Sequence, residues 1–312
     1  VSADAAHVCE VGPRDGLQNE SRTLSAAERV VFIQRLAAAG LRCIEAGAFV
    51  SPRAVPQMAG TAEVLAGLRG LPADVRLPVL VANQRGLDEA LGCGAREVAL
   101  FTGATDTFTQ RNIGCDVAAS LVRFAPLAAG ARAAGVRLRG YVSVAFGCPY
   151  EGAVPVEAVL RVAAALADLG CDEVSIGDTI GVATPADVDA VLGRLCTIIQ
   201  PARLAGHFHD TRGMAVANVL CALGHGLRRF DASVGGLGGC PYAPGASGNV
   251  ATEELVYLLE GQGLRTGIDL GLLMAAGDYV DGLLGRISYS RVRAATGSSR
   301  ARPASRRSAA PN

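Results

Sequence analysis

The 312-residue chain is 50% apolar and 19% charged, with 29 acidic residues balanced by 29 basic ones. That is enough apolar material for one large α/β domain or two ordinary ones. The neutral balance argues against an electrostatic nucleic-acid or membrane-surface binder. All the basic residues are arginine, and no lysine occurs. A Schiff-base aldolase, a pyridoxal-phosphate enzyme and a P-loop nucleotidase each need a lysine amine, so all three are excluded.

Cysteines stand at 9, 43, 93, 115, 148, 171, 196, 221 and 240, with no Cys-x-x-Cys among them. An odd, scattered set fits a reducing, cytoplasmic setting with mostly buried thiols, not a disulfide scaffold or a zinc knuckle. Gly, Arg or Asp interrupts every apolar run before membrane-spanning length, so no membrane span is expected. Residues 1–7 carry no transit-peptide pattern.

In chain order, an apolar strand is expected to end at Val11, stopped by Gly12 and Pro13. Arg14 and Asp15 follow at its mouth. Ser25 with Glu28 is a capping box for a helix to about Ala39, and 42–45 reads as a second strand ending on Glu45. A helix over 57–68, a strand over 76–81, a helix over 86–92 and a strand over 97–101 come next. A long polar loop then leads to a helix over 116–134. Strands are expected over 137–145, 173–176, 203–208 and 229–234, with helices over 155–169, 185–199 and 213–223 between and after them. A glycine-rich loop runs from Gly235 to Gly248.

Eight strand–helix units in about 260 residues suit a (β/α)8 TIM barrel, with an open doubly wound sheet as the alternative. No dinucleotide fingerprint follows the first strand, which disfavours the open sheet. The catalytic domain is placed at 1–290. A helix pair at about 269–285 forms a C-terminal extension, and the Ser/Arg/Ala/Pro-rich stretch 296–312 is expected to be a disordered tail.

Barrel chemistry sits at the C-terminal ends of the strands. There the chain places Arg14 and Asp15, Glu45, Asp178, and His207-Phe208-His209, which holds two of its four histidines. Residues i and i+2 of a strand share a face, so both imidazoles should point to the mouth as a metal-binding pair. Asp15 and Asn249 are candidates for the remaining ligands. Two nitrogens with hard oxygens suit an octahedral Mg²⁺ or Mn²⁺ better than closed zinc. Cys240, on the glycine-rich loop between the histidines and Asn249, is favoured as the functional thiol over Cys148, which stands in a similar Gly-Cys-Pro-Tyr context.

These motifs carry a family resemblance. Glu10–Glu20, Phe49-Val-Ser-Pro52, Gly147-Cys-Pro-Tyr-Glu-Gly152, Gly177-Asp-Thr-Ile-Gly181, His207–Asp210 and Gly239-Cys-Pro-Tyr … Glu253 resemble the 3-hydroxy-3-methylglutaryl-CoA lyases, over about residues 8–290. The resemblance implies metal-dependent cleavage of the acyl-CoA to acetyl-CoA and acetoacetate. It assigns Asp15, His207, His209 and Asn249 to the cation, and Arg14 to the thioester carbonyl. Glu45 and Asp178 support the metal-bound end, Gln18 orients the inner groups, and Cys240 acts in proton transfer. Leucine degradation is the pathway the family suggests.

One departure is Ser21, where such lyases often place Lys; Arg22, Arg53 or Arg111 would have to meet the CoA phosphates. The residue types fit the chemistry independently. The tertiary alcohol loses its proton to Asp15 or His207 near a metal, and Arg14 with Cys240 stabilises and protonates the departing enolate. A longer-branched acyl-CoA, a related acyltransferase and a non-catalytic CoA-binding barrel are the alternatives. A homo-oligomer is left open. On this reading Arg14 and Asp15 have separate jobs, and their pairing is mostly adjacency.

Overall fold

The structure, a computed structural model, describes residues 4–240 and 243–297; over 239–240 and 243–247 it describes backbone only. Nine parallel strands run in the order β2-β1-β9-β8-β7-β6-β5-β4-β3. These are β1 (His7–Glu10), β2 (Cys43–Ile44), β3 (Gly47–Phe49), β4 (Val79–Val81), β5 (Glu97–Gly103), β6 (Arg137–Ser143), β7 (Glu173–Asp178), β8 (Leu204–Phe208) and β9 (Arg229–Ala232).

The two end strands, β2 and β3, are halves of a single stave broken at Glu45-Ala46. Ile44 N–H donates to Arg76 O at 3.0 Å and Ala46 N–H to Pro78 O at 2.9 Å, so the sheet closes on itself with eight staves. The (β/α)8 barrel is therefore the fold, and the open sheet is ruled out.

Helices surround the staves: α1 (Ala26–Ala38), α2 (Thr61–Gly67), α3 (Gln84–Gly92), α4 (Asp106–Ile113), α5 (Val117–Ala133), α6 (Val156–Asp168), α7 (Pro185–Leu195), α8 (Ala215–Gly224) and α9 (Thr252–Gly261). The Ser25–Glu28 capping box forms as expected: Ser25 Oγ accepts from Glu28 N–H at 3.2 Å, and Glu28 Oε2 accepts from Ser25 N–H at 2.8 Å. Two of the four donors that start α1 are thus satisfied locally. The core lies between barrel and helices, where Phe32, Ile33, Leu36, Phe124, Phe208 and Phe230 are almost fully buried. Among the described residues no single helix is long and apolar enough to cross a membrane.

Two expectations need correction. The loop after β5 contains α4, started by Thr105 and ended by Gly114 in the left-handed region, φ 72°. The stretch 269–285 is one helix, α10 (Leu270–Leu284), not two. A further short helix, α11 (Arg291–Ala295), packs on α9, and its buried Arg293 pairs with Asp281 of α10 at 2.7 Å. Of the tail expected over 296–312, Thr296 closes α11, its N–H donating to Val292 O at 3.1 Å, and residues 298–312 lie outside the described residues.

Candidate active site

Three pieces of chain meet at one point of the barrel mouth. Gly12–Gly16 forms a tight π-helical turn, with Gly16 N–H donating to Val11 O at 3.1 Å, and this turn carries Arg14 and Asp15 up from β1. The end of β8 presents His207 and His209, whose rings lie 5.3 Å apart on the same face. The return of the glycine-rich loop zips onto that strand end, with Asp210 N–H to Gly248 O at 2.7 Å and Val250 N–H to Phe208 O at 3.0 Å. Asn249 is thereby set opposite His209.

Donor atoms of Asp15, His207 and His209 all fall within 4.8 Å of one another. Burial, reinforced by the neighbouring His207, lowers the His209 pKa to about 4, so this imidazole is neutral. Its Nδ1 is buried without a hydrogen-bond partner. A buried, unpaired acceptor costs free energy unless something binds it. Burial works against charge on Asp15 too, but Arg14, followed by His207, outweighs it and holds the carboxylate well below its usual range. A carboxylate kept ionised beside a neutral, unpartnered imidazole is a donor set suited to a divalent cation.

Asn249 donates from Nδ2 to Asp15 Oδ2 at 2.8 Å and to Leu237 O at 3.1 Å. The amide therefore touches the carboxylate through nitrogen, and its oxygen reaches that position by turning the amide over.

Arg14 spans two carboxylates, with Nε on Glu45 Oε2 at 2.7 Å and Nη1 on Asp15 Oδ1 at 2.8 Å. The pairing of Arg14 with Asp15 is thus a part-buried ion pair, and the reading of mere adjacency is corrected. Glu45 is fully buried at the break in its stave. Burial raises its pKa, and Arg14 opposes the rise. Nη2 of Arg14 takes no part in either pair.

Beneath these groups lies a polar layer that the sequence reading missed. Arg139 donates to Asp231 at 2.6 Å, to Glu173 at 2.9 Å and to Tyr141 Oη at 2.9 Å. Tyr141 donates on to Glu45 at 3.3 Å. Asp231 Oδ2 also accepts from Ser175 Oγ at 2.8 Å and meets His207 Nδ1 at 3.1 Å. A carboxylate on Nδ1–H fixes the tautomer and leaves the Nε2 lone pair for the mouth. Burial disfavours charge on His207, but Asp231 wins and raises its pKa. The available signal was charge at inward positions of strands buried on both faces, as in Arg137-Leu-Arg139 and Arg229-Phe-Asp231.

The remaining candidates take other places. Both oxygens of Asp178 accept backbone N–H groups, from Val182 and Ala183 at 3.0 Å each, so its carboxylate pins the β7–α7 loop. Gln18 is half-buried just past the turn and makes no side-chain bond to Arg14, Asp15 or either histidine. Cys148 is buried and accepts from Thr105 Oγ1 at 3.2 Å, as a packing thiol does. Cys240 lies in the short hairpin of β10 (Gly239–Cys240) and β11 (Ala243–Ser247); its side chain is outside the described residues. Arg22 is committed to Glu28, and Arg111 lies over the Tyr150 ring at 4.2 Å.

Two buried carboxyls anchor the base of the glycine-rich loop. Glu10 accepts from Gly12 N–H, Val234 N–H and Thr252 Oγ1, and burial raises its pKa to about 7. Glu253 accepts from Gly235 N–H, and burial raises its pKa to about 8. The loop passes the site at Gly238, φ +96°, where an added Cβ would stand 2.9 Å from Asn249 Nδ2 and 3.2 Å from Gly16 Cα. Only glycine fits both that conformation and that approach.

The hydroxymethylglutaryl-CoA lyase of Pseudomonas mevalonii is 55% identical over 92% of this chain and 95% of its own length. The 3-hydroxy-3-isohexenylglutaryl-CoA/hydroxy-methylglutaryl-CoA lyase of Pseudomonas aeruginosa is 49% identical over 90% of this chain and 94% of its own. A solved HMG-CoA lyase from Acinetobacter baumannii, in complex with coenzyme A and 3-methylmalate, superposes with a TM-score of 0.89 at 35% identity, covering 97% of this chain and 99% of that one. The model of the HMGL-like family matches residues 5–280, and the chain belongs to that family.

Proposed function

We propose that this protein cleaves 3-hydroxy-3-methylglutaryl-CoA to acetyl-CoA and acetoacetate at a divalent cation, Mg²⁺ or Mn²⁺. The observation that carries the reading is the convergence of ionised Asp15, His207 and the unpartnered imidazole of His209 at the barrel mouth. Asp15, His207, His209 and Asn249 would hold the ion. When bound, it lowers the pKa of the substrate's tertiary hydroxyl and polarises its oxygens.

The chain's own groups do the rest. Asp15, or His207 beside it, takes the hydroxyl proton. The bond between the alcohol carbon and the thioester α-carbon then breaks, and its electron pair delocalises onto the thioester oxygen. Arg14 meets that developing enolate with Nη2 while Glu45 and Asp15 keep the guanidinium from turning away. Cys240 returns a proton to the α-carbon from the loop that leaves the site at Gly238 and comes back at Asn249. Asp178 and Gln18 serve at the rim by shaping the loop and the turn, and the acyl chain is carried as its CoA thioester. A cytoplasmic location and a place in leucine degradation complete the reading.

The test is acetoacetate release from the hydroxymethylglutaryl thioester by chelator-stripped protein with Mg²⁺ or Mn²⁺ restored. Release only with the cation supports the reading. No release, with cleavage of an isohexenyl-branched analogue instead, would reassign the substrate while keeping the site; that variant is favoured by the dual-specificity relative. No cleavage of either thioester would leave a CoA-binding barrel.

A further inference from the structure

Outside the barrel, between α7 and α8, stands a second group of metal-binding residue types that the reaction does not use. Asp189, Cys221 and His225 bring a carboxylate oxygen, a sulfur and an imidazole nitrogen within 4.8 Å of one another. Cys221 and His225 are four residues apart at the end of α8, so one helical face presents both. Asp189 comes across from the second turn of α7, with Oδ1 at 2.9 Å from His225 Nε2. The Cys221 thiol donates to Pro185 O at 3.3 Å. Cys221 and His225 are half-buried and Asp189 is exposed, so the group is ordered and reachable.

We propose that Asp189, Cys221 and His225 form a second cation site, for a borderline-soft divalent ion such as Zn²⁺. Thiolate and imidazole select such an ion over Mg²⁺, whereas the mouth offers two imidazoles with hard oxygens. Zinc–ligand bonds of roughly 2.0–2.3 Å at tetrahedral angles need donors roughly 3.3–3.8 Å apart, a spacing these side chains reach by small rotations. Water supplies the fourth position. The bound ion would staple α7 to α8, the helices before and after β8, the strand that carries His207.

Co²⁺ serves as the probe, added to chelator-stripped protein in excess Mg²⁺. A thiolate–Co²⁺ charge-transfer band in the near ultraviolet is expected at one equivalent, and Zn²⁺ should abolish it. Cys221→Ser should lose the band while keeping lyase activity. Asp189→Asn and His225→Ala should weaken Co²⁺ binding at least tenfold, and His209→Ala should keep the band. Zn²⁺ should also raise the melting temperature of His209→Ala protein, and adding Cys221→Ser to that variant should abolish the rise. No band in the parent protein overturns the proposal. A band that survives Cys221→Ser and disappears in His209→Ala does too, because it moves the thiolate site to the mouth.

Discussion

Asp231→Asn separates the polar layer's structural role from its part in setting the site. Asp231 is buried at 1% exposure and accepts from Arg139 at 2.6 Å, Ser175 at 2.8 Å and His207 Nδ1 at 3.1 Å. Asparagine keeps the shape but has one acceptor oxygen. If that oxygen stays on Arg139, the new amide N–H faces Ser175 and His207. His207 then favours the Nε2–H tautomer, and the lone pair aimed at the mouth is lost.

Breaking a buried ion pair costs about 3–5 kcal/mol. Arg139 retains Glu173 at 2.9 Å, so the lower end, about 3 kcal/mol, is expected. At about 2–4 °C per kcal/mol for a domain of 150–250 residues, the melting temperature should fall by about 6–12 °C. Loss of a carboxylate behind a ligating histidine weakens metal binding by about 10–100-fold. The assay is Mn²⁺ binding, read from the free-ion paramagnetic resonance signal, beside a thermal melt. Ser175→Ala is the control: it removes one bond to a charged group, worth about 1.5–3 kcal/mol, and leaves the His207 tautomer alone. Mn²⁺ affinity within twofold of the parent, together with the expected melting loss, would refute the reasoning by reducing Asp231 to a core residue.

Three further changes test other links. Glu10 binds its proton more tightly folded, near pH 7, than unfolded, near 4.5, so its contribution is full below pH 4.5 and is lost as pH rises through 7. Glu10→Gln keeps the acceptor for Gly12 and Val234 without the charge and should gain about 3 kcal/mol at pH 8 but little at pH 4.5. Urea melts at both pH values check this, and an unchanged pH slope would count against it. Arg14→Lys keeps a cation by Glu45 but loses the fork, so kcat should fall about 10²–10³-fold with Mn²⁺ affinity near normal; parent-like kcat would remove Arg14 from enolate stabilisation. Gly238→Ala pushes on Asn249 and Gly16 and should weaken Mn²⁺ binding and turnover together, a result that normal binding in a titration would contradict.

Much of this protein was written locally. Alternating apolar strands and amphipathic helices specify eight barrel units, and the Ser25–Glu28 cap and the turn at Gly12-Pro13 depend on residues a few positions apart. His207 and His209 share a face because strand geometry requires it, whatever surrounds them. Those signals were enough to place Asp15, Arg14, both histidines and Asn249 at one rim.

Only the closed barrel decided what each group touches. Arg139 and Asp231 are 92 residues apart, Glu10 and Thr252 are 242 apart, and Arg14 finds Glu45 only because β1 and β2 pair. The same closure turned Asp178 toward its own loop and Glu10 under the glycine-rich one. Backbone periodicity is a property of neighbours along the chain. The partner of a buried charge is set by strand stagger and by the need to pair every ion taken out of water, and both exist only once the staves have met.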